Sequence, residues 1–295
     1  MKELLHKQTS HQVDALITTA SGSYIFHGLK GMGKTHVALE ISRRLNCTGD
    51  TPTICTSCIQ HAAGSWPDLI IIKPEDKPSI LIEQVRVLGQ ALSLSLYNSL
   101  GRRVVIIDGA NALTVDAQNA LLKLLEEPPF QTIFILVTDQ IDSLLPTVRS
   151  RCAEIYFPAL SAEPITSMLV EHFHLDPAAA RDLAVASDGA PAIAVMLATS
   201  PDAAKERLEL QKIADTITSK GVFDRLLTAK VLLDSKADLA RFGRLLHQRC
   251  IMTLTSDTVY DPAGVSRLEA LERFRKSFQA KVAPRVALER LMLEL

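Results

Sequence analysis

Short, continuous runs of apolar residues mark the first half of the chain. The runs cover residues 24–26, 69–72, 104–107, 133–137 and 155–157. Runs this short and this continuously apolar are typical of strands buried on both faces of a parallel sheet. Stretches with apolar residues at helical spacing separate the runs. This alternation predicts an α/β fold with a doubly wound parallel sheet and right-handed crossovers.

The pattern changes after Pro158. No strand-like run follows, and recurrent prolines divide the remaining sequence into helical segments. We therefore predict an α/β domain over residues 1–158. A small helical domain over 159–201 and a larger all-helical domain over 202–295 are expected to follow it.

The composition argues against several classes of function. The chain carries 32 basic and 33 acidic residues, so no overall field attracts nucleic acid. With 4 tyrosines and 1 tryptophan, it also does not resemble a nucleic-acid-binding zinc module that stacks bases. No stretch approaches the roughly 20 apolar residues of a membrane helix, and the first residues lack a secretory signal. The sequence therefore predicts a cytoplasmic protein.

A phosphate-loop pattern lies between the first predicted strand and the next predicted helix. Residues 28–35, GLKGMGKT, match G-x-x-x-x-G-K-[ST]. Its glycines let backbone N–H groups wrap around phosphate oxygens, and they are Gly28, Gly31 and Gly33. Lys34 would reach the β- and γ-phosphates, and the Thr35 hydroxyl would bind Mg²⁺. The alternative is a chance match on a glycine-rich turn; the pattern itself predicts ATP or ADP binding with Mg²⁺.

An acidic residue follows the third apolar run. Asp108 is placed to hold Mg²⁺ beside the phosphate loop, although a strand-end capping role is the simpler alternative. Hydrolysing ATPases of this type usually place a glutamate at the next position, where it orients the attacking water. Here that position is Gly109. Since such general-base positioning contributes about 10²- to 10⁴-fold to a rate, the sequence predicts nucleotide binding with weak turnover.

Three further stretches resemble the clamp-loader family of AAA+ ATPases. They are DAQNALLKLLEEPP at 116–129, SRC at 150–152 and WPD at 66–68. Together with the phosphate loop they cover most of residues 10–158 in the order expected of that family. The resemblance implies that the first predicted domain is an AAA+ nucleotide-binding domain. The second would be its lid, and the third an oligomerising collar.

The same resemblance implies roles for two residues outside the phosphate loop. Arg151 corresponds to an arginine finger that reaches the γ-phosphate on a neighbouring subunit, a task suited to a permanently charged planar guanidinium. Thr138, at the end of the fourth apolar run, corresponds to the sensor-1 position near the γ-phosphate. A surface arginine paired with a nearby acid and an ordinary strand-end threonine are the respective alternatives.

Other features resemble the delta-prime branch of that family more than its motor branch. Gly109 replaces the motor glutamate, and no sensor-2 arginine occurs between Asp188 and Leu197. The segments SDGAPAIA at 187–194 and APRVALE at 283–289 also resemble delta-prime patterns. One departure is that the phosphate loop is intact here, whereas some delta-prime chains have a degraded one.

A cysteine-rich loop over residues 47–61 resembles the zinc knuckle of the family. Cys55 and Cys58 form a C-x₂-C pair, and Cys47 matches the more distant ligand, but the position of another family cysteine is Pro52. His61 could complete a Cys₃His site for structural Zn²⁺. Three reduced thiols without metal are the alternative.

The resemblance implies a function in DNA replication. The expected complex is a clamp loader of DNA polymerase III, a hetero-oligomer with motor (gamma/tau-like) and delta subunits as partners. Through that complex the chain would act on a sliding clamp and on primer–template DNA. Alternatives are a catalytically active AAA+ motor subunit or another P-loop ATPase, either of which needs a water-activating residue that the sequence does not supply.

Overall fold

A computed structural model describes residues 5–49, 55–75, 78–97, 101–129, 131–235, 238–256, 262–279 and 282–295. The chain divides into two compact units, Met1–Thr199 and Ser200–Leu295. The first predicted domain boundary, after residue 158, falls inside the first unit. The second, after residue 201, lies beside the boundary between the units. The division into three domains stays a prediction.

Five strands form one sheet in the first unit: β1 (Gly22–His27), β2 (Leu69–Ile72), β3 (Arg103–Asp108), β4 (Thr132–Thr138) and β5 (Ala153–Tyr156). Their order is β2-β3-β4-β1-β5, and every pairing is parallel. Strands that follow one another in the chain are therefore separated in the sheet by helical crossovers. The predicted doubly wound α/β fold is confirmed.

Nine α-helices lie in the described part of the first unit: α1 (Lys7–Thr19), α2 (Lys34–Asn46), α3 (Thr56–Ala62), α4 (Ile82–Leu92), α5 (Val115–Glu126), α6 (Pro146–Arg149), α7 (Ala162–Phe173), α8 (Pro177–Ala186) and α9 (Pro191–Thr199). Helices α1 and α2 cover one face of the sheet, where Val37 and Ile41 pack against Ile106. Helices α4 and α5 cover the other, where Leu121 packs against Val105. The core therefore has three layers, as apolar strands flanked by amphipathic helices require.

The edge strands differ from the sequence prediction of burial on both faces. Every residue of the central strand β4 is buried. In contrast, Ile71 of β2 is 46% exposed and Tyr156 of β5 is 53% exposed. A strand at the edge of a sheet has a neighbour on only one side, so apolar runs of similar length differ in burial. The strand order that decides this is not encoded locally.

Helices α7 to α9 pack around a shared apolar core and place the start of α9 against the phosphate loop. The Ala192 N–H donates to the Gly31 carbonyl at 3.0 Å. Just before α9, Gly189 has φ 75°, and a Cβ there would lie 2.5 Å from the Leu160 carbonyl oxygen. Only glycine fits this approach, which explains the glycine in the SDGAP stretch.

The second unit contains α10 (Pro201–Thr216), α11 (Val222–Asp234), α12 (Leu239–Ser256), α13 (Pro262–Gln279) and α14 (Pro284–Glu294). Its core includes Phe242, Leu246 and Leu288, all fully buried. In the described residues no strand follows β5, in agreement with the predicted helical second half. Within these same ranges, no helix combines the length and apolar character needed to cross a membrane.

Candidate functional site

The phosphate loop connects β1 to α2, and close contacts make its glycines necessary. Gly28 has φ 141°, and a Cβ there would lie 2.3 Å from the Phe157 carbonyl oxygen. Gly31 has φ 85°, and its Cβ would lie 2.7 Å from Ile193 Cγ1. Gly33 directly precedes α2 and occupies the N-cap of that helix. The loop is therefore held between the end of the sheet and helix α9, with its backbone in conformations that other residues rarely adopt.

Lys34 is the first residue of α2 and is almost fully buried, with 6% of its surface exposed. Its Nζ donates to the carbonyl oxygens of Gly28 and Leu29, both at 2.7 Å. Burial lowers the pKa of Lys34, while the carboxylates of Asp139 and Asp108 act in the opposite direction. These two bonds use two of the three N–H donors of the buried ammonium group, and an anion would stabilise it further, so the loop is suited to phosphate.

Thr35 and Asp108 meet although 73 positions separate them. The Thr35 hydroxyl donates to Asp108 Oδ1 at 3.0 Å. Asp108 is the last residue of β3, and parallel strands end at the same edge of a sheet, next to the N-terminus of α2. The structure thus brings together the two oxygen donors that the sequence assigned to Mg²⁺, a hard cation that prefers oxygen ligands.

A cavity of about 530 Å³ opens at this edge of the sheet. Its volume lies within the usual range for small-molecule sites, roughly 300–1,000 Å³. The predicted residues Gly31, Gly33, Lys34, Thr35, Asp108 and Thr138 all line it. Gly28 does not line it, and its carbonyl accepts from Lys34 Nζ. Asp139, Asn111 and Ala192 also line the cavity, and the sequence reasoning missed all three.

Two of these lining residues follow strand β4. Thr138 is only 1% exposed, and its Oγ1 accepts from the Gln140 N–H at 3.0 Å, which leaves its hydroxyl proton free to donate. Asp139 is exposed at the cavity rim. Its position directly after a buried strand was the available signal, since ligand sites in such sheets lie beyond the carboxyl ends of strands.

Gly109 lines the same cavity in a left-handed conformation, with φ 78°. Its N–H donates to the Val137 carbonyl at 3.1 Å, which fixes the turn after β3. A side chain there would face strain of about 1–2 kcal/mol, because the left-handed region disfavours residues with a Cβ. The backbone conformation at this position therefore favours glycine, in agreement with the lack of a carboxylate there.

Arg151 lies outside this cavity, between α6 and β5. Its Nε and Nη2 donate to Glu126 Oε2 at 3.3 and 3.2 Å, and its Nη1 donates to the Thr147 carbonyl at 3.1 Å. The Arg151 side chain is 32% exposed and that of Glu126 59% exposed. We call Arg151, Glu126 and Thr147 the Arg151 surface. Of the five N–H donors of the guanidinium, these contacts use three and leave two for another acceptor.

Gln118 supports the segment that carries Arg151, a role not inferred from the sequence. Its Nε2 donates to the Leu113 and Ser143 carbonyls, and its Oε1 accepts from the Leu145 N–H at 2.7 Å. This buried amide ties α5 to the start of α6. Cys152 next to Arg151 is partly buried, and burial raises its pKa to about 12, so it is an unreactive thiol.

The cysteine loop brings three thiols together. Cys47 Sγ lies 3.8 Å from Cys55 Sγ and 3.5 Å from Cys58 Sγ, and all three sulfur atoms lie within 4.8 Å of one another. With Zn–S bonds of about 2.3 Å, tetrahedral geometry places sulfur atoms about 3.8 Å apart. The thiols therefore fit three corners of a zinc site. Cys55 Sγ lies 3.1 Å from Ser57 Oγ, a hydrogen bond that lowers the pKa of Cys55 to about 5.

The structure does not bring His61 into this group. Its Nδ1 lies 2.8 Å from the Ser57 carbonyl, and its Nε2 lies 3.0 Å from Ser42 Oγ. Because a carbonyl only accepts, Nδ1 carries the proton and Nε2 accepts from Ser42. The ring also stacks on Trp66 with a centroid distance of 5.0 Å. As a zinc ligand, His61 stays a prediction from the sequence, and this geometry engages both of its nitrogens elsewhere.

Comparisons with known proteins place this geometry in context. A family model described as DNA polymerase III, delta subunit, matches residues 6–161. DNA polymerase III subunit delta' of Bacillus subtilis is 34% identical over 200 residues, 67% of this chain and 60% of that protein. DNA polymerase III subunit tau of Salmonella typhimurium is 35% identical over 177 residues, 57% of this chain and 27% of that protein. The match thus spans less than two thirds of each relative.

A solved structure extends the likeness in fold to nearly the whole chain. A DNA polymerase III gamma subunit-related protein from Thermotoga maritima superposes with a TM-score of 0.52 at 18% identity. The superposition covers 96% of this chain and 97% of that one. At this identity the likeness shows the fold alone.

Proposed function

The chain belongs to the DNA polymerase III delta subunit family, and we propose that it serves as a delta-prime-like subunit of an AAA+ clamp loader. The observation that carries the proposal is the separation of two half-sites in one chain. The P-loop cavity binds nucleotide but has Gly109 where a water-activating acid would stand. Arg151 does not line that cavity, and in this proposal it completes the site of a neighbour.

The cavity holds ATP or ADP with Mg²⁺. Lys34 and the loop N–H groups contact the phosphates, and the oxygen atoms of Thr35 and Asp108 hold Mg²⁺, which neutralises phosphate charge when bound. Support comes from the burial of Lys34 and from the contact of 3.0 Å between Thr35 and Asp108. Thr138 contributes its free hydroxyl proton to a phosphate oxygen at the far side of the cavity. Turnover by this chain alone is weak because no described group at the Gly109 position orients a water molecule.

Arg151 acts as the trans arginine finger. Its two uncommitted N–H donors reach the γ-phosphate bound to an adjacent motor subunit of the gamma/tau type. Glu126 accepts from Nε and Nη2 of the guanidinium and so positions the finger before the subunits meet. A preformed finger costs less ordering entropy on assembly than a freely rotating side chain.

The wider role follows from family membership. With motor and delta subunits, the chain forms a cytoplasmic ring that opens a sliding clamp on primer–template DNA. The helical second unit, residues 200–295, is the collar that joins subunits. The ring changes between two conformational states. Contacts with nucleotide that form in only one of these states shift the equilibrium toward it.

An active motor subunit is the second candidate function. The intact phosphate loop and the match to a tau subunit favour it. Asp139 at the cavity rim would then have to orient the attacking water in place of the missing glutamate. The left-handed Gly109 turn and the exposure of Asp139 favour the first proposal.

ATP turnover separates the two functions. The purified chain is assayed alone and after reconstitution with motor and delta subunits of the same organism, and bound nucleotide is quantified after denaturation. We expect bound nucleotide with negligible turnover from the chain alone, and strong turnover in the complex. Fast turnover by the chain alone, abolished by Asp139→Asn, would instead establish a motor.

A further inference from the structure

A small cavity lies between helices α13 and α14 of the second unit, and we call it the α13–α14 pocket. Its lining includes Arg273 and Phe274 of α13 and Val286, Arg290, Leu291 and Glu294 of α14. The volume is about 110 Å³, well below the roughly 300–1,000 Å³ of sites for small molecules and cofactors. An engineered cavity of about 150 Å³ in another protein holds benzene. The pocket therefore has room for one side chain of a partner, not for a cofactor.

The apolar lining of this pocket is only partly removed from water. Phe274 and Leu291 are 4% and 1% exposed. Val282 and Val286, which also line the pocket, are 41% and 58% exposed. A bound apolar group would remove this exposed surface from water, which is the driving force of hydrophobic binding.

Three charged side chains line the same pocket and bind one another. Glu294 accepts from Arg273 Nε and Nη2 at 3.4 and 3.0 Å, and from Arg290 Nε at 2.8 Å. The carboxylate thus joins a side chain of α13 to one of α14. Arg273 also lies 3.7 Å from Glu269, so acids of the chain itself already neutralise it.

Arg290 keeps most of its donors for another acceptor. Of its five N–H donors, the contact with Glu294 uses one, and no further hydrogen bond from it is found among the described residues. Its side chain is 64% exposed. A planar guanidinium whose two Nη atoms are available binds a carboxylate through two parallel hydrogen bonds. With two arginines against one glutamate in its lining, the pocket also disfavours a basic partner.

We propose that the α13–α14 pocket binds a segment of a partner protein in which an aliphatic side chain stands next to an aspartate or glutamate. The aliphatic group enters the pocket beside Phe274 and Leu291, and the acidic group binds the Nη atoms of Arg290. Because Glu294 already binds Arg290 Nε, part of the ordering of the guanidinium precedes binding. The proposal rests on the second unit alone and does not depend on the clamp-loader function.

Selection from a phage-displayed library of random dodecapeptides tests the chemistry of the partner. The full chain is the bait at about 0.1 M salt, and a parallel selection on Arg290→Glu identifies peptides that bind elsewhere. We expect the peptides specific to the wild type to share an aliphatic residue within two positions of an aspartate or glutamate. Wild-type-specific peptides without an acid, or no such peptides at all, would overturn the proposal.

Arg285 is a matched control for Arg290. It lies on the same helix, donates from Nε to Glu289 at 2.8 Å as Arg290 does to Glu294, and is 77% exposed, but it does not line the pocket. In fluorescence anisotropy with the selected peptides, Arg290→Glu should weaken binding by about 10-fold or more, and Arg285→Glu by less than about 2-fold. Equal losses would mean a diffuse attraction between acidic peptides and a basic helix, and would overturn the site.

Val286 and Leu293 provide the same comparison for the apolar part of the pocket. They are 58% and 59% exposed on α14, but of the two only Val286 lines the pocket. Val286→Ser should weaken peptide binding by about 3- to 5-fold, and Leu293→Ser by less than about 2-fold. Both positions are exposed, so we expect the fold to persist, which circular dichroism checks. Unchanged affinity in Val286→Ser would mean that the peptide binds outside the pocket.

A second copy of the chain is the competing occupant. Sedimentation velocity over a range of concentrations measures self-association of the wild type, Arg290→Glu and Arg285→Glu. We expect no self-association that depends on Arg290. Self-association that Arg290→Glu abolishes and Arg285→Glu retains would assign the pocket to a second copy and overturn the proposal of a separate partner.

Discussion

The P-loop cavity and the Arg151 surface lie in the same α/β unit but differ in how far one chain completes them. In the cavity the polar groups meet one another: Lys34 binds loop carbonyls, and Thr35 binds Asp108. On the Arg151 surface, contacts with the described residues use three of the five guanidinium N–H donors and leave two for another acceptor. The first region is arranged to bind a ligand. In the proposed function, the second enters the nucleotide site of a neighbouring subunit. The proposed role as a ring subunit requires both kinds of region.

The largest effect expected for the chain on its own concerns the cavity. Replacing Lys34 by alanine should weaken ATP binding by about 10- to 100-fold, because one charged hydrogen bond contributes about 1.5–3 kcal/mol. Calorimetric titration of the chain measures the affinity, with Lys123→Ala on the exposed side of α5 as the control. Unchanged affinity in the Lys34 variant would mean that nucleotide does not bind in this loop.

A second prediction concerns why the cavity lacks a carboxylate. Gly109→Ala should destabilise the fold by about 1–2 kcal/mol, because the turn is left-handed. The new Cβ would meet nothing closer than Pro74 Cδ at 3.7 Å, so crowding adds little. Denaturant unfolding measures the change.

Gly89, in helix α4, provides the opposite control. A Cβ there meets nothing within 4 Å, and Gly89→Ala should stabilise the fold by about 0.5–1 kcal/mol. If both substitutions stabilise, the turn at Gly109 adapts to other residues. The cavity could then accept a glutamate and would resemble a motor site more closely than we propose.

A third prediction concerns the other region. Glu126→Gln should lower the turnover of the reconstituted complex by about 2- to 5-fold, the value of an exposed ion pair, since Arg151 loses its support. The KM for ATP should stay unchanged because the cavity is intact, and Glu126→Asp should restore part of the rate. Glu127→Gln removes the next carboxylate and serves as the control. Higher turnover in the Glu126 variant would mean that the pair restrains the finger instead of positioning it.

The smallest effect tests whether the cavity depends on an ion pair in the middle of helix α2. Arg43 and Arg44 lower the pKa of Glu40 to about 2, against an ordinary value of 4.5. A carboxylate with a depressed pKa stabilises the fold above pH 4.5, and this contribution is lost as the pH falls towards 2. Glu40→Gln should therefore lower Tm by about 2 °C at neutral pH and by less in acid, without changing ATP affinity. A large loss of affinity would show that the middle of α2 is coupled to the phosphate loop at its start.

Much of the fold and of the cavity could be predicted from local sequence. The alternation of apolar runs and helical stretches predicts the sheet. The GLKGMGKT pattern and Asp108 predict a phosphate loop and a nearby acid, which the parallel sheet brings together. The exposure of Ile71 could not be predicted, because it depends on strand order. The direction of the His61 ring depends on how α3 packs on α2, and the Glu126 contact with Arg151 spans 25 positions. Side-chain contacts between different elements could not be predicted from the sequence pattern.

The most direct test of the account is ATP hydrolysis by the reconstituted complex containing Arg151→Ala, measured in single-turnover experiments. Arg149→Ala is the matched control, since Arg149 lies on the same short segment and pairs with Glu154 at 3.0 Å. We predict that Arg151→Ala slows hydrolysis at the neighbouring site by about 10³-fold or more while assembly and nucleotide binding persist, and that Arg149→Ala leaves the rate near that of the wild type. Equal rates for the complexes with Arg151→Ala and with the wild-type chain would contradict the finger and, with it, the division of labour between the two regions.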